Sequence, residues 1–418
     1  MKRLLAWLAG ALLLLALAVG GLFILAVESA PLVVRDATIS PLAIAQTRWL
    51  LRANDPRRLR QGDFRQTGIP AGLIDEGSNY VATRFLHGRG SFQLASASAE
   101  FRFTVAVPGS TGQRFLNLRL GLREQEGKPQ LDSVRLGALS IPPALAEAML
   151  ALGIRLAGYE REWQLGREAV RGLRFEPAQR RIIVAYAWEP ALLERFRSAA
   201  LDREDLARLR SAHEILAGLL DQHAPGSQVA LPAILHDLLD VNGSDQLENR
   251  RAAIFVLAAY LSERKLAPLL PEAANWPALR PIKLMLAGRI DSAQHFVISA
   301  ALTAWAGEPL AEAIGVYKEL ADARHGSGFS FADLAADRAG TAFGELLLRH
   351  PERIDRLLRA GFVDGDIIPP LAELPEYLGT REFQQRYGQP GSAAYRQLTD
   401  EIERRLHTLP LYRKPEPA

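Results

Sequence analysis

The sequence predicts a multidomain α+β protein. It should have an N-terminal transmembrane helix, a β-rich antiparallel sheet domain with packed helices, and an all-α C-terminal domain. Three observations carry this expectation. Leu4–Val27 is an uncharged run, Ser91–Gln125 alternates with a period of two, and beyond Pro190 apolar residues recur almost only at helical spacing. The 418 residues exceed what one core ordinarily holds, so two folded units plus accessories are expected.

The N-terminal run comes first. At about 1.5 Å rise per residue, Leu4–Val27 can cross a hydrocarbon core of roughly 30 Å. Lys2 and Arg3 precede it, and such charges stay in the cytoplasm. A cleaved signal is the alternative. Its apolar region is shorter, about 7–15 residues, and here Pro31 directly follows the best cleavage site in "ESAP". Residues 1–30 are therefore expected to be an uncleaved anchor. The Ala, Leu and Arg richness points to a bacterium. The expected location is the inner membrane, crossed once through residues 4–27, with the N-terminus cytoplasmic and the bulk of the chain periplasmic.

Residues 31–60 read as a membrane-proximal helix and linker. Pro41–Ala53 is amphipathic, and Arg57, Arg58, Arg60 and Arg65 follow either as a lipid-facing cluster or as a solvated basic stretch. Residues 61–190 read as the β-rich domain. A helix is expected over Gly68–Leu86. Ser91–Val107, Arg114–Gln125 and Gln130–Ile141 then alternate as antiparallel strands with one face buried. Pro142 and Pro143 open a helix that runs to Gly158. Strands over Glu162–Glu176 and Arg180–Trp188 close the domain. Residues 191–418 read as helices over Ala191–Ala224, Leu231–Val241, Leu247–Lys265, Ser292–Gly307, Pro309–Gly326 and Phe329–His350. A last helix is expected near Tyr395–Leu406, and a Pro-rich connection covers Leu266–Pro281.

Composition excludes several functions. The chain has no Cys, so disulfides, thiolate metal sites, a Cys nucleophile and a lipidated N-terminal Cys are ruled out. A formal charge of +3, with no stacking pattern of aromatics, gives no sign of a nucleic-acid partner. Walker loops, G-x-S-x-G, H-E-x-x-H and the dinucleotide fingerprint are missing from the sequence.

The polar residues of interest lie between Arg289 and Gly344. His295 sits in the apolar "HFVISAALTAW", with Ser299 one turn beyond it on the same face. A turn at Gly307–Pro309 returns the next helix, bringing Glu319 into reach. "GSGFSFADLAADRAG" then starts a third helix carrying Asp333 and Asp337 four apart. An imidazole with several carboxylates can bind a divalent cation. It can serve as an acid/base pair, or form a buried network whose members satisfy one another. Local explanations compete. Ser330 and Asp333 fit a capping box, Lys318 can pair with Asp322, and Gly340 with Gly344 permits close helix contact. Asp337, a full turn inside, is left over. Glu248, Asn249 and Arg250, capped by Asn242 or Ser244, read as a solvated first turn rather than as a lining of the same pocket.

Two stretches resemble known families. "LRLGLREQEGKPQLDSVRLGALSIPPALAEAML" is similar to the YpmS-like extracellular proteins, a likeness spanning roughly Gly62 to Trp188. It implies a curved sheet wrapping a long helix around an apolar groove that holds an acyl chain. The other reading is a helix that simply covers its sheet. Residues 289–344 resemble the YfiM family of predicted periplasmic lipoproteins and, more distantly, VanZ-like envelope proteins. The matching residues are His295, Glu319, Asp333, Asp337, Gly340 and Gly344, with Ser299, Lys318 and Asp322 agreeing more loosely. The chain departs from YfiM-like proteins in lacking the lipidated Cys. It departs from VanZ-like proteins in having Asp337 where Asn is usual.

These resemblances locate a site without naming a reaction. They imply an anchored envelope protein that binds a lipid or other envelope component through His295, Glu319, Asp333 and Asp337. The alternatives are a metal-assisted or acid/base hydrolase of envelope lipid or glycan, and a scaffold with a buried polar network. Any cofactor would be a divalent metal on the same four residues. Protein partners are not identifiable from the sequence.

Overall fold

The structure, a computed structural model, describes residues 25–55, 58–96, 98–108, 114–191, 203–241, 245–263, 266–267, 270–307, 310–311, 314–315, 318, 322 and 328–413. It is α+β, with an antiparallel sheet unit followed by a helical one, and the chain divides into compact units at Met1–Ser198 and Ala199–Ala418. The division falls close to the expected boundary near residue 190.

The first unit holds two antiparallel sheets. The larger has the order β3 (Gly88–Leu94), β4 (Ser98–Ala106), β5 (Phe115–Gln125), β6 (Lys128–Leu136), β7 (Leu139–Ile141). A two-residue strand, β1 (Val27–Glu28), pairs with the start of β5. The smaller sheet has the order β2 (Phe64–Pro70), β9 (Arg181–Ala187), β8 (Val170–Glu176). The alternating segments over Ser91–Val107, Arg114–Gln125 and Gln130–Ile141 thus form strands as expected, and β3, β4 and β5 give a face to a core. That core is small: Phe92, Ala99, Phe175 and Ile182, with Ile74, Leu94 and Phe101 packed against it.

Several expectations for this unit need correction. Residues 64–70 form β2, in register with β9, so the helix α2 (Ala71–Leu86) starts later than Gly68. The stretch from Glu162 is helical at first: α3 (Pro143–Leu156) is followed by α4 (Glu160–Ala169), and only then by β8. Acidic Glu160 and Glu162 at the start of α4 and Arg167 at its end suit the helix dipole, which propensity for alternation hides. The helix expected at Pro41–Ala53 is present, and the segment around it is tied to the sheet unit. Arg35 pairs with Asp75 at 2.8 Å, and the Ser40 backbone donates to Glu76 at 2.7 Å. The end of α1 (Pro41–Ala53) is held by Asn54, which accepts from Thr67 and Tyr186.

Most of the expected anchor, residues 1–24, lies outside the described residues. Among the described residues no helix is long and apolar enough to cross a membrane, so none supports the N-terminal transmembrane helix. Val27, the last residue of the expected run, lies in β1. Buried Asn117 holds the segment that follows. Its amide donates to Glu28 and to the Ala30 carbonyl, and its oxygen accepts from Leu32 N at 3.0 Å.

The second unit is helical around one large apolar core. Its elements are α5 (Arg203–Asp221), β10 (Gln228–Ala230), α6 (Leu231–Leu239), α7 (Gln246–Leu261), β11 (Lys283–Met285), α8 (Ile290–Ala306), α9 (Phe331–Arg349), α10 (Pro351–Ala360), α11 (Asp364–Ile367), α12 (Thr380–Tyr387) and α13 (Ala393–Thr408). β10 and β11 pair in parallel. The expected caps Asn242 and Ser244 lie outside the described residues. Arg250 is not solvated: it is 2% exposed, donating to the Leu239 carbonyl and pairing with Asp355 at 2.7 Å. An aromatic group, Phe329, Phe331, Phe383 and Tyr395, seats the N-terminus of α9 against α12 and α13.

The axis of this unit is the contact between α8 and α9. A Cβ at Gly340 would overlap the Phe296 carbonyl oxygen, and one at Gly344 would overlap that of Ala300. The two backbones therefore touch where the glycines stand, as small-xxx-small spacing allows. Gly340→Ala must push the helices apart, and such overpacking costs about 1–3 kcal/mol or more. Urea unfolding should show a loss of that size; an unchanged midpoint would mean that the helices do not meet there.

Candidate functional site

The two helices meet with their polar residues facing each other. His295 and Ser299 lie four apart on α8, Asp333 and Asp337 four apart on α9, and the glycine contact lies one turn further along α9. Asp337 is buried. Its Oδ1 accepts from Ser299 Oγ at 2.7 Å and meets His295 Nδ1 at 3.0 Å. Its Oδ2 has no hydrogen-bond partner among the described residues and rests against Gly315, where a side chain would not fit. Ser299 donates to the carboxylate, not to the imidazole, so the three are not ordered as a nucleophilic relay.

The other ring nitrogen faces outward. His295 Nε2 lies 3.1 Å from Lys318 Nζ and 3.6 Å from Asp333 Oδ2. These contacts exclude each other. Lys318 can donate to Nε2 only when that nitrogen is unprotonated, whereas Asp333 is served only when it carries a proton. Lys318 also pairs with Asp322 at 2.8 Å, as the i,i+4 spacing predicts. Its side chain is 49% exposed, against 13% for Asp333. The cluster thus runs from a dry inner end at Ser299 and Asp337 to a wet outer end at Lys318.

Electrostatics favours a charged imidazole. Burial opposes protonation of His295, but the charge and hydrogen bond of Asp337, helped by Asp333, outweigh it and push the pKa up to about 9. Burial raises the Asp333 carboxyl above the usual carboxylate range, with His295, Lys318 and Arg289 acting against that shift. Arg289 NH2 lies 3.6 Å from Asp333 Oδ1, which has no hydrogen-bond partner among the described residues.

Of the four expected site residues, the structure brings together His295, Asp333 and Asp337; Glu319 lies outside the described residues. The cap at α9 is real, since the Asp333 amide donates to Ser330 Oγ at 3.0 Å. The Asp333 carboxylate nonetheless turns to His295 and Arg289, so capping accounts for Ser330 and not for the acid. Among the described residues no group of three or more His, Asp or Glu side chains is arranged to hold a metal ion. Sequence reasoning missed Arg289. It is bonded twice to Asp291, at 3.0 and 2.7 Å, and pairs with Glu376. Arg289 and Asp291 open α8 and could have been flagged. Glu376, in a Pro-rich segment without periodicity, gave no signal.

Comparison with known proteins yields no relative: no family model matches the chain, and no curated protein or solved structure is similar to it.

The raised His295 pKa sets a pH dependence. The unfolded value is near 6.5, so the paired imidazolium contributes its full stability below that pH, and the contribution is lost as pH rises through 9. A shift from 6.5 to about 9 corresponds to on the order of 3 kcal/mol. Denaturant unfolding should show a loss of this order between pH 6.5 and 9.5. In an NMR titration, the imidazole signal missing from His295→Gln should have its midpoint near 9 in the wild type. A midpoint at or below 6.5 would show that the pair does not hold the proton.

Proposed function

We propose that the protein is an inner-membrane-anchored, periplasmic envelope protein that binds a lipid or other envelope component, and that the outer end of the His295 cluster is its polar site. Anchor and compartment follow from the Leu4–Val27 run and the charges before it. The YfiM-like and YpmS-like resemblances point the same way. The observation that carries the site is Asp333. It is a mostly buried carboxylate with one oxygen unpartnered among the described residues, set between His295 and Arg289 and beside half-exposed Lys318. A finished structural network would satisfy that oxygen. The inner pair of His295 and Asp337 holds the imidazole, while Asp333 Oδ1, 3.6 Å from Arg289, has no hydrogen-bond donor among the described residues. The ligand that fits supplies N–H or O–H groups, as an amine or hydroxyl headgroup or a glycan does.

A second reading has one observation behind it. The imidazole is oriented by a carboxylate at Nδ1 while Nε2 faces outward, the arrangement an acid/base hydrolase of envelope lipid or glycan would use. A divalent metal would belong to this reading, with His295, Glu319, Asp333 and Asp337 as its residues.

Asp333→Asn and Lys318→Gln separate ligand binding from packing, because both lie at the outer end. Native mass spectrometry of the detergent-solubilised full chain should show a bound envelope component in the wild type. It should be lost in both variants, with melting temperatures almost unchanged. Full retention in both would leave the cluster a structural network. Elemental analysis showing bound metal, or turnover of envelope lipid or glycan, would favour the hydrolase.

A further inference from the structure

α3 is out of keeping with a water-facing surface. Of its 14 residues only Glu147 and Arg155 are charged, yet no residue of the helix is buried. Leu145, Met149, Leu152 and Leu156 follow one another at spacings of four, three and four, so they form one stripe. They are between 53% and 79% exposed. Tyr159 and Trp163 continue beyond the helix, also exposed. An apolar helix is stable when its surface is covered, and contiguous apolar patches on water-facing surfaces mark interaction sites. α3 packs against β6 and against α4, and these contacts bury none of its residues.

The path of the chain brings the first apolar run to the same end of the sheet. The Leu25 carbonyl accepts from the Ala138 amide at 2.9 Å. Gly137, at φ +56°, packs against the Ala26 carbonyl so closely that a side chain there would overlap it. The apolar run of residues 4–24 thus joins the described chain at the β6–β7 turn, and β7 leads at once into Pro143, the first residue of α3. The helix is about 21 Å long, from 14 residues at about 1.5 Å each, too short to cross a core of roughly 30 Å. A short apolar helix followed by exposed Tyr159 and, in α4, Trp163 suits the layer just below the headgroups, where amphipathic rings collect.

We propose that α3 lies in the membrane interface, its Leu145–Leu156 stripe inserted among the acyl chains beneath the headgroups. The occupant of the surface is the lipid layer itself. This rests on the reading that residues 4–27 anchor the chain, and it adds a second, lateral attachment that fixes the sheet unit against the bilayer. The test uses the lack of Cys in the chain, which makes an introduced one unique. Full-length protein carrying Leu152→Cys, or Met149→Cys as a second probe, is labelled with an environment-sensitive fluorophore. It is reconstituted in phosphatidylethanolamine and phosphatidylglycerol vesicles. Leu14→Cys reports the anchor and Gln61→Cys, on an exposed loop, reports water.

The expected result is blue-shifted emission at positions 152 and 149, quenched by nitroxides on lipid acyl chains and protected from aqueous iodide. Quenching by iodide, as at position 61, would overturn the proposal. So would protection from both quenchers, which would show that protein covers the helix, either a second copy or this chain. Acyl-chain quenching at position 14 without quenching at position 152 sinks the surface and leaves the anchor. The reverse sinks the anchor and leaves the surface.

Discussion

The polar cluster depends on the backbone contact between α8 and α9. Gly340 and Gly344 remove side chains where Phe296 and Ala300 present their carbonyls, and Ala300, Ala304, Ala336 and Ala339 keep the surrounding faces shallow. At that separation the short side chains of Ser299 and Asp337 reach each other directly. A wider gap would leave the Asp337 carboxylate buried without donors, and a buried charge without partners costs several kcal/mol. Packing and electrostatics are therefore one constraint: the glycines bring the helices close enough for the carboxylate to be paired, and the pairing holds the imidazole in a single orientation.

That orientation divides the cluster chemically. Nδ1 is committed to Asp337, so whatever changes in the site changes at Nε2. With a proton there, the ring serves Asp333 and Lys318 falls back on Asp322. Without it, Lys318 can donate to the ring and Asp333 keeps only Arg289 among the two cations 3.6 Å from it. A group shared by two neighbours, one cationic and one anionic, responds to any ligand that takes either partner. Arg289 limits the response. Tied twice to Asp291 and once to Glu376, it keeps a fixed positive charge near Asp333 and holds the start of α8 to the Pro-rich segment.

Much of this was legible in the sequence. Helical spacing put His295 beside Ser299, the four-residue step put Asp333 beside Asp337, and G-x-x-x-G marked the helix contact. Each is local information about one face of one helix. What failed was information held elsewhere in the chain. β2 reads "FRQTGIP", without alternation and with a glycine and a proline, and it is a strand because β9 offers it a partner. α4 alternates around Trp163 and Leu165 like a strand, but it buries nothing and so has no buried face for that pattern to report. Arg250 looked solvated because a charged residue in a first turn usually is; its burial comes from Asp355 and the Leu239 carbonyl. Glu376 enters the cluster through the tertiary path of an irregular segment, which no period encodes.

The two units differ most in how they dispose of apolar surface. The helical unit buries its aliphatic residues in a large core that runs from Leu209 to Tyr412 and in a second one around Phe329, Phe331, Leu334 and Leu378. Among the described residues, the sheet unit gathers Phe92, Ala99, Phe175 and Ile182 into a small core, while α3 exposes its leucines and α1 exposes Leu42 and Trp49. Buried apolar area is the main favourable term in folding, so a unit of this size with so small a core is poorly supported by its own packing. Hydrogen bonds supply part of the difference: Asn117 pins the entering segment, and Arg35, Ser40 and Asn54 tie α1 to its neighbours. They fix geometry more than they add stability, since each exchanges a bond with water for one within the protein. The remaining apolar surface gains most where water is excluded from outside. The end of the first apolar run is itself fixed to this unit, since the Leu25 carbonyl accepts from the Ala138 amide at the β6–β7 turn.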